Sequence, residues 1–189
     1  MSETHPDRLF LIQNMPISSF SLKTAGKEVD IWRIYYILFY NNLNGQQYKV
    51  GSLGKVWYGN SVYRGIYEDF FSYLLDDKNH IFSNNTPRAV YGIKYLYEIK
   101  HSLIYRLRYL QDKYLFYIDE NIFIDIEKLC EKINIAMGLT TKYCLANNPN
   151  YLNRARQLFI EAEIFDCDVT KSICNLISQY VKNSLDKML

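Results

Sequence analysis

Apolar residues recur at helical spacing in the second half of the chain, and the first such stripe covers residues 89 to about 116. Its members step at close to 3.6 residues, as on one face of a long helix. They are Leu96, Ile99, Leu103, Leu107, Leu110 and Tyr114. The β-prone residues before Lys100, with Gly92 among them, leave open a strand as far as Lys100. The sequence predicts a long helix here, with that single alternative.

Three further stripes follow, and start and stop signals stand at their ends. Asp119 can cap a helix that runs to Gly138, because glycine favours helix termination. Residues 147–150, which include a proline, break the chain before the next stripe, and Asp168 can cap a last helix. Each amphipathic helix needs a partner for its apolar face. We therefore expect an antiparallel bundle of three to four helices over residues 88–189.

The first half of the chain carries strand and turn signals instead. Residues 29–40 are dense in β-branched and aromatic side chains. Asn44-Gly45 follows and is a strong hairpin signal, so a partner strand is expected from Tyr48. The competing interpretation makes residues 29–43 a helix that Gly45 stops, because apolar residues occur on every face. We prefer the strands.

Glycines crowd the segment that leads to the predicted bundle. Five of the eight glycines lie between positions 45 and 65, which excludes a regular helix there. A short helix is expected from Tyr63 to Leu75. The predicted fold class is α+β and helix-dominated, with a small N-terminal antiparallel β region followed by the C-terminal helical bundle. We predict a β-rich region over residues 1–80 and a bundle over 88–189, with one continuous domain as the alternative.

Composition and charge narrow the range of functions. The chain has 189 residues, of which 49% are hydrophobic and 22% charged, as in ordinary globular proteins. A net charge of +2 is far from the strongly basic balance of proteins that bind nucleic acid by charge alone. The longest apolar-looking stretch, residues 31–40, is about half the length of a membrane span. No signal-peptide pattern opens the sequence, so we expect a cytoplasmic protein that does not enter a membrane.

The cysteines and histidines give no metal-binding pattern. The four cysteines, at positions 130, 144, 167 and 174, lack the short spacing of zinc knuckles. We expect them to be small buried side chains in a reducing compartment. The three histidines are scattered, and neither a zinc site nor a catalytic triad can be assembled from them. No metal or cofactor is predicted on these grounds.

A local pattern between residues 34 and 52 resembles the hairpin that opens the GIY-YIG nucleases. It consists of Ile34-Tyr35-Tyr36-Ile37, then Asn44-Gly45, then Tyr48-Lys49-Val50-Gly51-Ser52. In that family a tyrosine helps to activate water, an arginine steadies the phosphate, and a glutamate holds a divalent metal. The resemblance implies Tyr35, Arg64 and Gln111 as the matching candidates.

The sequence also departs from the pattern of that family. Arg33 stands at the place of the first glycine, Lys49 is an inserted residue, and Arg64 lies too far downstream. Gln111 carries no negative charge, so a metal site would lack its carboxylate.

Glu98-Ile99-Lys100 has the Glu-x-Lys form of restriction-type nucleases. In such enzymes the carboxylate binds the metal and the lysine orients water, and Asp76 or Asp77 would be the upstream ligand. The motif requires Tyr95 to Lys100 to be a strand. On a helix, Glu98 and Lys100 would point to different faces.

The stretch from Lys94 to Lys113 mixes basic and aromatic side chains, which can neutralise phosphates and stack on bases. The candidates for contact with nucleic acid are Lys94, Lys100, Tyr105, Arg106, Arg108 and Lys113. Glu98 and Asp112 dilute the positive charge. The alternative is a solvated helix face whose tyrosines border the core.

These patterns predict a non-catalytic binding or interaction module that is a subunit of a larger assembly. Its partner would be a protein or a further copy of the chain, and RNA or single-stranded nucleic acid is a further partner class. The sequence shows no coherent catalytic site, so nothing in it argues for an enzyme. The alternative function is a metal-dependent nuclease, either degenerate GIY-YIG-like or restriction-type. That function would use Mg²⁺, with Tyr35, Arg64, Glu98 and Lys100 as its catalytic candidates.

Overall fold

A computed structural model describes residues 42–43, 47–49, 55–76, 86–114 and 117–186. It contains one hairpin and four helical segments. The strands are β1 (Gln47–Lys49) and β2 (Lys55–Trp57), and the helical segments are α1 (residues 59–76), α2 (Thr86–Tyr114), α3 (Glu120–Ala146) and α4 (Pro149–Asp186).

The predicted α+β fold class is wrong. Helices make up nearly all of the described residues, and the strands among them contribute three residues each. β1 and β2 pair antiparallel, with Gln47 opposite Trp57. Strands this short cannot bury an apolar face of their own, so the helices supply the core. The described residues form a helical bundle with a minimal hairpin beside it.

The hairpin also differs from the expected one. The strand predicted from Tyr48 exists as β1, but its described partner, β2, follows it in sequence across residues 50–54. The other predicted strand, over residues 29–40, and the Asn44-Gly45 turn lie outside the described residues. Asn42 and Leu43 are helical, in agreement with the helical interpretation at the end of residues 29–43.

α1 confirms the short helix predicted from Tyr63 to Leu75, although its geometry is irregular. A 3₁₀ turn (Gly59–Ser61) leads through a short α segment into a π-helical stretch (Gly65–Phe70), and Phe71–Asp76 is α-helical again. Gly65 lies against the indole of Trp57, and a Cβ added there would meet Trp57 Cδ1 at 2.5 Å. This glycine therefore serves close packing.

α2 is helical throughout, so the strand alternative up to Lys100 is wrong. Its inner side follows steps of three and four residues, as in a coiled-coil seam. The seam is Ile93, Leu96, Lys100, Leu103, Leu107, Leu110 and Tyr114. Of these, Leu103 and Tyr114 are partly buried and the others are buried. A single charged residue, Lys100, interrupts this apolar seam.

α3 begins where the sequence predicts and ends later. The Asp119 side chain accepts a hydrogen bond from the backbone N–H of Asn121 at 3.0 Å, which confirms the N-cap. The helix continues past the predicted end at Gly138 and stops at Asn147, whose φ of 51° is left-handed. Gly138 is on the exposed side, and the buried face goes on through Tyr143. Packing therefore outweighs the modest helix penalty of one glycine.

α4 is a single helix of 38 residues. The break predicted at residues 147–150 is confirmed, because α3 ends and α4 begins there. The separate helix predicted from Asp168 is wrong, since Asp168 lies within α4. The buried stripe runs without a gap from Ala162 through Asp166 to Val169, and this continuity overrides the local capping signal.

α3 packs against both α2 and α4, and the core divides into two apolar clusters. The first cluster joins α1 and the early parts of α2 and α4 to the late part of α3. The second joins the later parts of α2 and α4 to the early part of α3. The chain direction therefore alternates, and α2 and α4 run parallel.

The predicted division between residues 1–80 and 88–189 stays a prediction, because residues 77–85 lie outside the described ranges. α1 shares the first apolar cluster with the three long helices. Within the described ranges, no helix combines the length and the apolar character that crossing a membrane requires.

Candidate functional site

A buried ion pair lies between the two apolar clusters. Lys100 of α2 and Asp166 of α4 approach to 2.6 Å between Nζ and Oδ2, and their side chains are 7% and 2% exposed. Both residues occupy positions where the apolar stripes of their helices face the core. Buried charges are tolerated when they are paired and hydrogen-bonded. This pair links two parallel helices across the middle of the bundle.

Polar groups from α1 surround Asp166. With its amide oriented so that both ends are satisfied, Asn60 donates to Asp166 Oδ2 at 2.9 Å and to the carbonyl of Asn42 at 3.2 Å. Its oxygen accepts from the backbone N–H of Cys167 at 3.3 Å. Thr170, one turn further along α4, lies 3.4 Å from Asp166 Oδ1. The irregular turn at the start of α1 thus helps to solvate the carboxylate.

Tyr63 and Cys130 complete this polar layer. The Tyr63 hydroxyl is fully buried and has no hydrogen-bond partner of good geometry among the described residues. Burial above all, and then the nearby charge of Asp166, raises the pKa of Tyr63 well above its usual value. Burial likewise raises the pKa of the Cys130 thiol to about 11, with the positive charge of Lys100 opposing the rise. Both groups are therefore neutral at physiological pH.

A second polar contact joins α1 to α4 closer to the surface. Arg64 Nε lies 3.0 Å from Glu163 Oε1, and the Tyr67 hydroxyl donates to Glu163 Oε2 at 2.8 Å. Burial, followed by the hydrogen bond to Glu163, raises the pKa of Tyr67 to about 12. Arg64 therefore has a structural partner in the bundle.

The opposite side of α2 is exposed and rich in tyrosine. Tyr91, Tyr105 and Tyr109 are 63%, 67% and 48% exposed, and Tyr117, shortly before α3, is 77% exposed. We define the outer face of α2 as Tyr91, Lys94, Glu98, His101, Tyr105, Arg108, Tyr109 and Asp112. Its side chains lie across the helix from the inner seam.

Aromatic rings stack along this outer face. The His101 ring lies parallel to that of Tyr97, with centroids 5.7 Å apart and an interplanar angle of 10°. Tyr105 meets the same imidazole edge-on at 5.5 Å. Such contacts fix the positions of long side chains before any partner arrives.

Several charges of the outer face already have partners within the chain. Lys94 and Glu98 form a pair one turn apart, with Nζ and Oε1 separated by 3.7 Å. Arg108 pairs with Glu120 at the start of α3, and its guanidinium carbon lies 3.7 Å from the ring centroid of Phe123. The face is therefore mixed in charge.

The structure separates the residues that the sequence grouped as site candidates. Tyr35 lies outside the described residues. Glu98 is exposed and Lys100 is buried, so the helix places the two residues of the Glu-x-Lys pattern on different sides. Among the nucleic-acid candidates, Lys100 is in the core, whereas Lys94, Tyr105, Arg106 and Lys113 are exposed and Arg108 is half-buried.

Sequence reasoning missed the partnership of Lys100 with Asp166. The signal was present, because each is a single charge at a position where an apolar stripe with steps of three and four requires a buried residue. The two charges are opposite in sign. Two such interruptions in neighbouring helices indicate a buried pair.

The described residues contain no group of three or more His, Cys, Asp or Glu side chains placed to hold a metal ion. All four cysteines are free thiols, and three of them are buried. Burial raises the pKa of Cys174 to about 11 and also raises that of Cys144. The three buried thiols are thus protonated core residues.

No family model matches the chain, and no curated protein or solved structure matches it.

Proposed function

We propose that the protein is a non-catalytic binding module that joins a larger assembly through the outer face of α2. One observation carries this proposal. The strongly exposed aromatic side chains of the described residues lie on α2, at Tyr91, Tyr105 and Tyr109, or shortly before α3, at Tyr117. Tyrosine is enriched at protein interfaces, where it contributes large contact area with little loss of side-chain freedom.

The charge pattern supports a protein partner over nucleic acid. Lys100 is buried against Asp166, and Arg108 pairs with Glu120. Lys94 is next to Glu98, and Asp112 is exposed on the same face. Binding to a polyphosphate backbone requires an excess of accessible positive charge, which this face does not present. Mixed charges around tyrosines suit a protein surface of complementary pattern.

We place this module in the cytoplasm. Its four cysteines are free thiols, and three of them are buried. Free thiols are typical of proteins in a reducing compartment.

Comparative capture from cell extract tests the proposed face. We expect Tyr105→Ala/Tyr109→Ala to lose the proteins that the wild type retains, because the variant removes exposed aromatic area and leaves the core intact. The matched control is Ile160→Ala/Ile164→Ala, which removes an exposed apolar pair from α4. The control should retain the same proteins. Equal capture by both variants would contradict the proposal.

A titration with fluorescent single-stranded RNA separates the two partner classes. We expect no saturable binding at physiological salt. Strong binding that weakens with added salt would show that the partner is nucleic acid and not a protein. The variant Lys94→Ala/Lys113→Ala should then reduce the binding.

A further inference from the structure

A row of mostly charged and aromatic side chains, the outer seam, runs along the outer face of α2. Tyr91, Lys94, Glu98, His101, Tyr105, Arg108 and Asp112 follow one another in steps of three and four residues. Such spacing keeps a row of side chains facing a neighbouring helix along its whole length. The inner seam of α2 has the same spacing and packs into the bundle. The outer seam has the geometry for a further helix.

The charges of this seam are complementary to those of the same seam reversed. When two copies cross antiparallel at residue 103, residues at equal distances on either side of that point face each other. Nine residues away, Lys94 faces Asp112 of the other copy, and five residues away Glu98 faces Arg108. His101 and Tyr105, each two residues from the crossing point, face each other across it. Every charged position in the seam meets an opposite charge.

We propose that two copies of this chain pair through the outer faces of α2, antiparallel and with the two-fold axis at residue 103. This inference rests on the proposed function of that face and names its occupant. In such an isologous contact each ion pair occurs twice, so both Lys94–Asp112 contacts form together. The parallel arrangement is disfavoured, because it would place each charged residue opposite the identical residue of the second copy.

The charged side chains of the seam reach solvent, although Lys94 and Glu98 also pair with each other within one chain. Lys94 and Glu98 are 56% and 57% exposed, and Arg108 is 43% exposed. Arg108 can keep Glu120 on one side and donate to Glu98 of the second copy on the other, because a guanidinium has five N–H donors. The stacked ring of His101 holds Tyr105 in position at the centre of the contact.

The length of the seam sets the expected strength. Residues 91–112 span about 33 Å of helix at 1.5 Å per residue. A single helix pair of this length is at the small end of specific interfaces, which bury about 1,200 Å² or more. We therefore expect a reversible dimer that dissociates on dilution.

Charge reversal with rescue tests the pairing. The singles Lys94→Glu and Asp112→Lys each place like charges opposite each other twice per dimer, and we expect each to raise the dimer Kd by roughly tenfold. The double variant Lys94→Glu/Asp112→Lys restores both contacts with reversed sign, so its Kd should return to near the wild-type value. Sedimentation velocity over a range of concentrations measures all four proteins, and circular dichroism confirms that each is folded.

Cross-linking tests the register. A mixture of His101→Cys and Tyr105→Cys proteins should form a disulfide between the two variants under oxidation. The control mixture of Lys94→Cys and Tyr105→Cys should not, because those positions lie far apart in the proposed dimer.

Three results would overturn the pairing: a wild type that stays monomeric at high concentration, single variants with unchanged Kd, or a double variant as weak as the singles. These outcomes differ from failure of the proposed function. A monomeric wild type whose capture of other proteins still depends on Tyr105 and Tyr109 leaves the binding face in place with a different occupant. If the wild type stays monomeric and its capture of other proteins does not depend on Tyr105 and Tyr109, both proposals are wrong.

Discussion

Lys100 and Asp166 are buried charges, and each is tolerated because the other is present. Removing a charge from water costs several kcal/mol, and a close partner with further hydrogen bonds offsets this cost. Asn60 and Thr170 supply further polar contacts to Asp166. The stability of the bundle therefore depends on the pair as a unit.

Replacing one member of the pair should be far more harmful than replacing both. Lys100→Met leaves Asp166 buried without its counter-charge, and we expect a loss of about 3–5 kcal/mol in the free energy of unfolding. The double variant Lys100→Met/Asp166→Leu should recover most of this loss. Urea unfolding of the two variants and the wild type gives the comparison.

Lys132→Met is the matched control, because Lys132 forms a surface pair with Glu161 at 2.7 Å. Its cost should be below about 1 kcal/mol. If Lys100→Met proves as mild as this control, the buried pair does not have the role described.

The buried thiols make stability fall at alkaline pH. Cys130 and Cys174 have folded-state pKa values of about 11, raised from 9.0 by burial. A group with a raised pKa contributes stability that is fully present below its unfolded pKa and is lost as pH rises through the folded pKa. The free energy of unfolding should therefore decline between about pH 9 and pH 11.

Urea unfolding at a series of pH values measures this decline. The variant Cys130→Ala/Cys174→Ala should show a shallower decline than the wild type over the same range, because it lacks both titrating groups. The tyrosines with raised pKa values remain in that variant and account for the residual slope. An identical slope in both proteins would show that the thiols do not cause the decline.

At the scale of the elements, two helical glycines should respond in opposite ways to the same substitution. Gly138 is exposed in the middle of α3, and a Cβ added there meets nothing within 4 Å. Gly138→Ala should stabilise the protein by about 0.5–1 kcal/mol. Gly65→Ala would drive a methyl group into the Trp57 indole, which is held by a hydrogen bond from Nε1 to Asp69 at 2.8 Å.

We expect Gly65→Ala to cost about 1–3 kcal/mol. Thermal unfolding of the two alanine variants provides the measurement, and each serves as the control for the other. A stabilised Gly65→Ala protein would show that Trp57 does not pack against α1 as described.

Helix existence was predictable from the sequence, whereas helix ends were predictable only where a cap is made. Asp119 was identified from its local sequence, and its side chain does bond the first turn of α3. Gly138 and Asp168 carry equally local signals, but each stands on a helix whose buried face continues past it. Tertiary packing is worth more than one propensity or one cap, so both predicted boundaries failed.

At the scale of the whole molecule, the core, with an ion pair between two apolar clusters, was only partly predictable. The apolar stripes of α2 and α4 indicated which sides face inward, and an antiparallel bundle followed from the short connections. The position of one helix along another does not follow from apolar stripes, which slide past each other at similar cost. The Lys100–Asp166 contact fixes that position, and it depends on a three-dimensional arrangement that single stripes do not contain.

The candidate site shows the same limit. Tyr105 and Arg106 are exposed, because they lie between the apolar positions of α2. Lys100 was grouped with them on charge alone, and the fold buries it. Surface assignment from sequence therefore succeeds when the helical phase is considered and fails when residue type is considered without it.

The buried pair also constrains how this sequence can diverge. Replacing this charged pair with apolar residues requires substitutions at both Lys100 and Asp166, which are 66 positions apart in the chain. Either substitution alone gives a protein with an uncompensated buried charge. Lineages of this fold should therefore fall into two groups, one with both charges and one with neither, and intermediates should be rare.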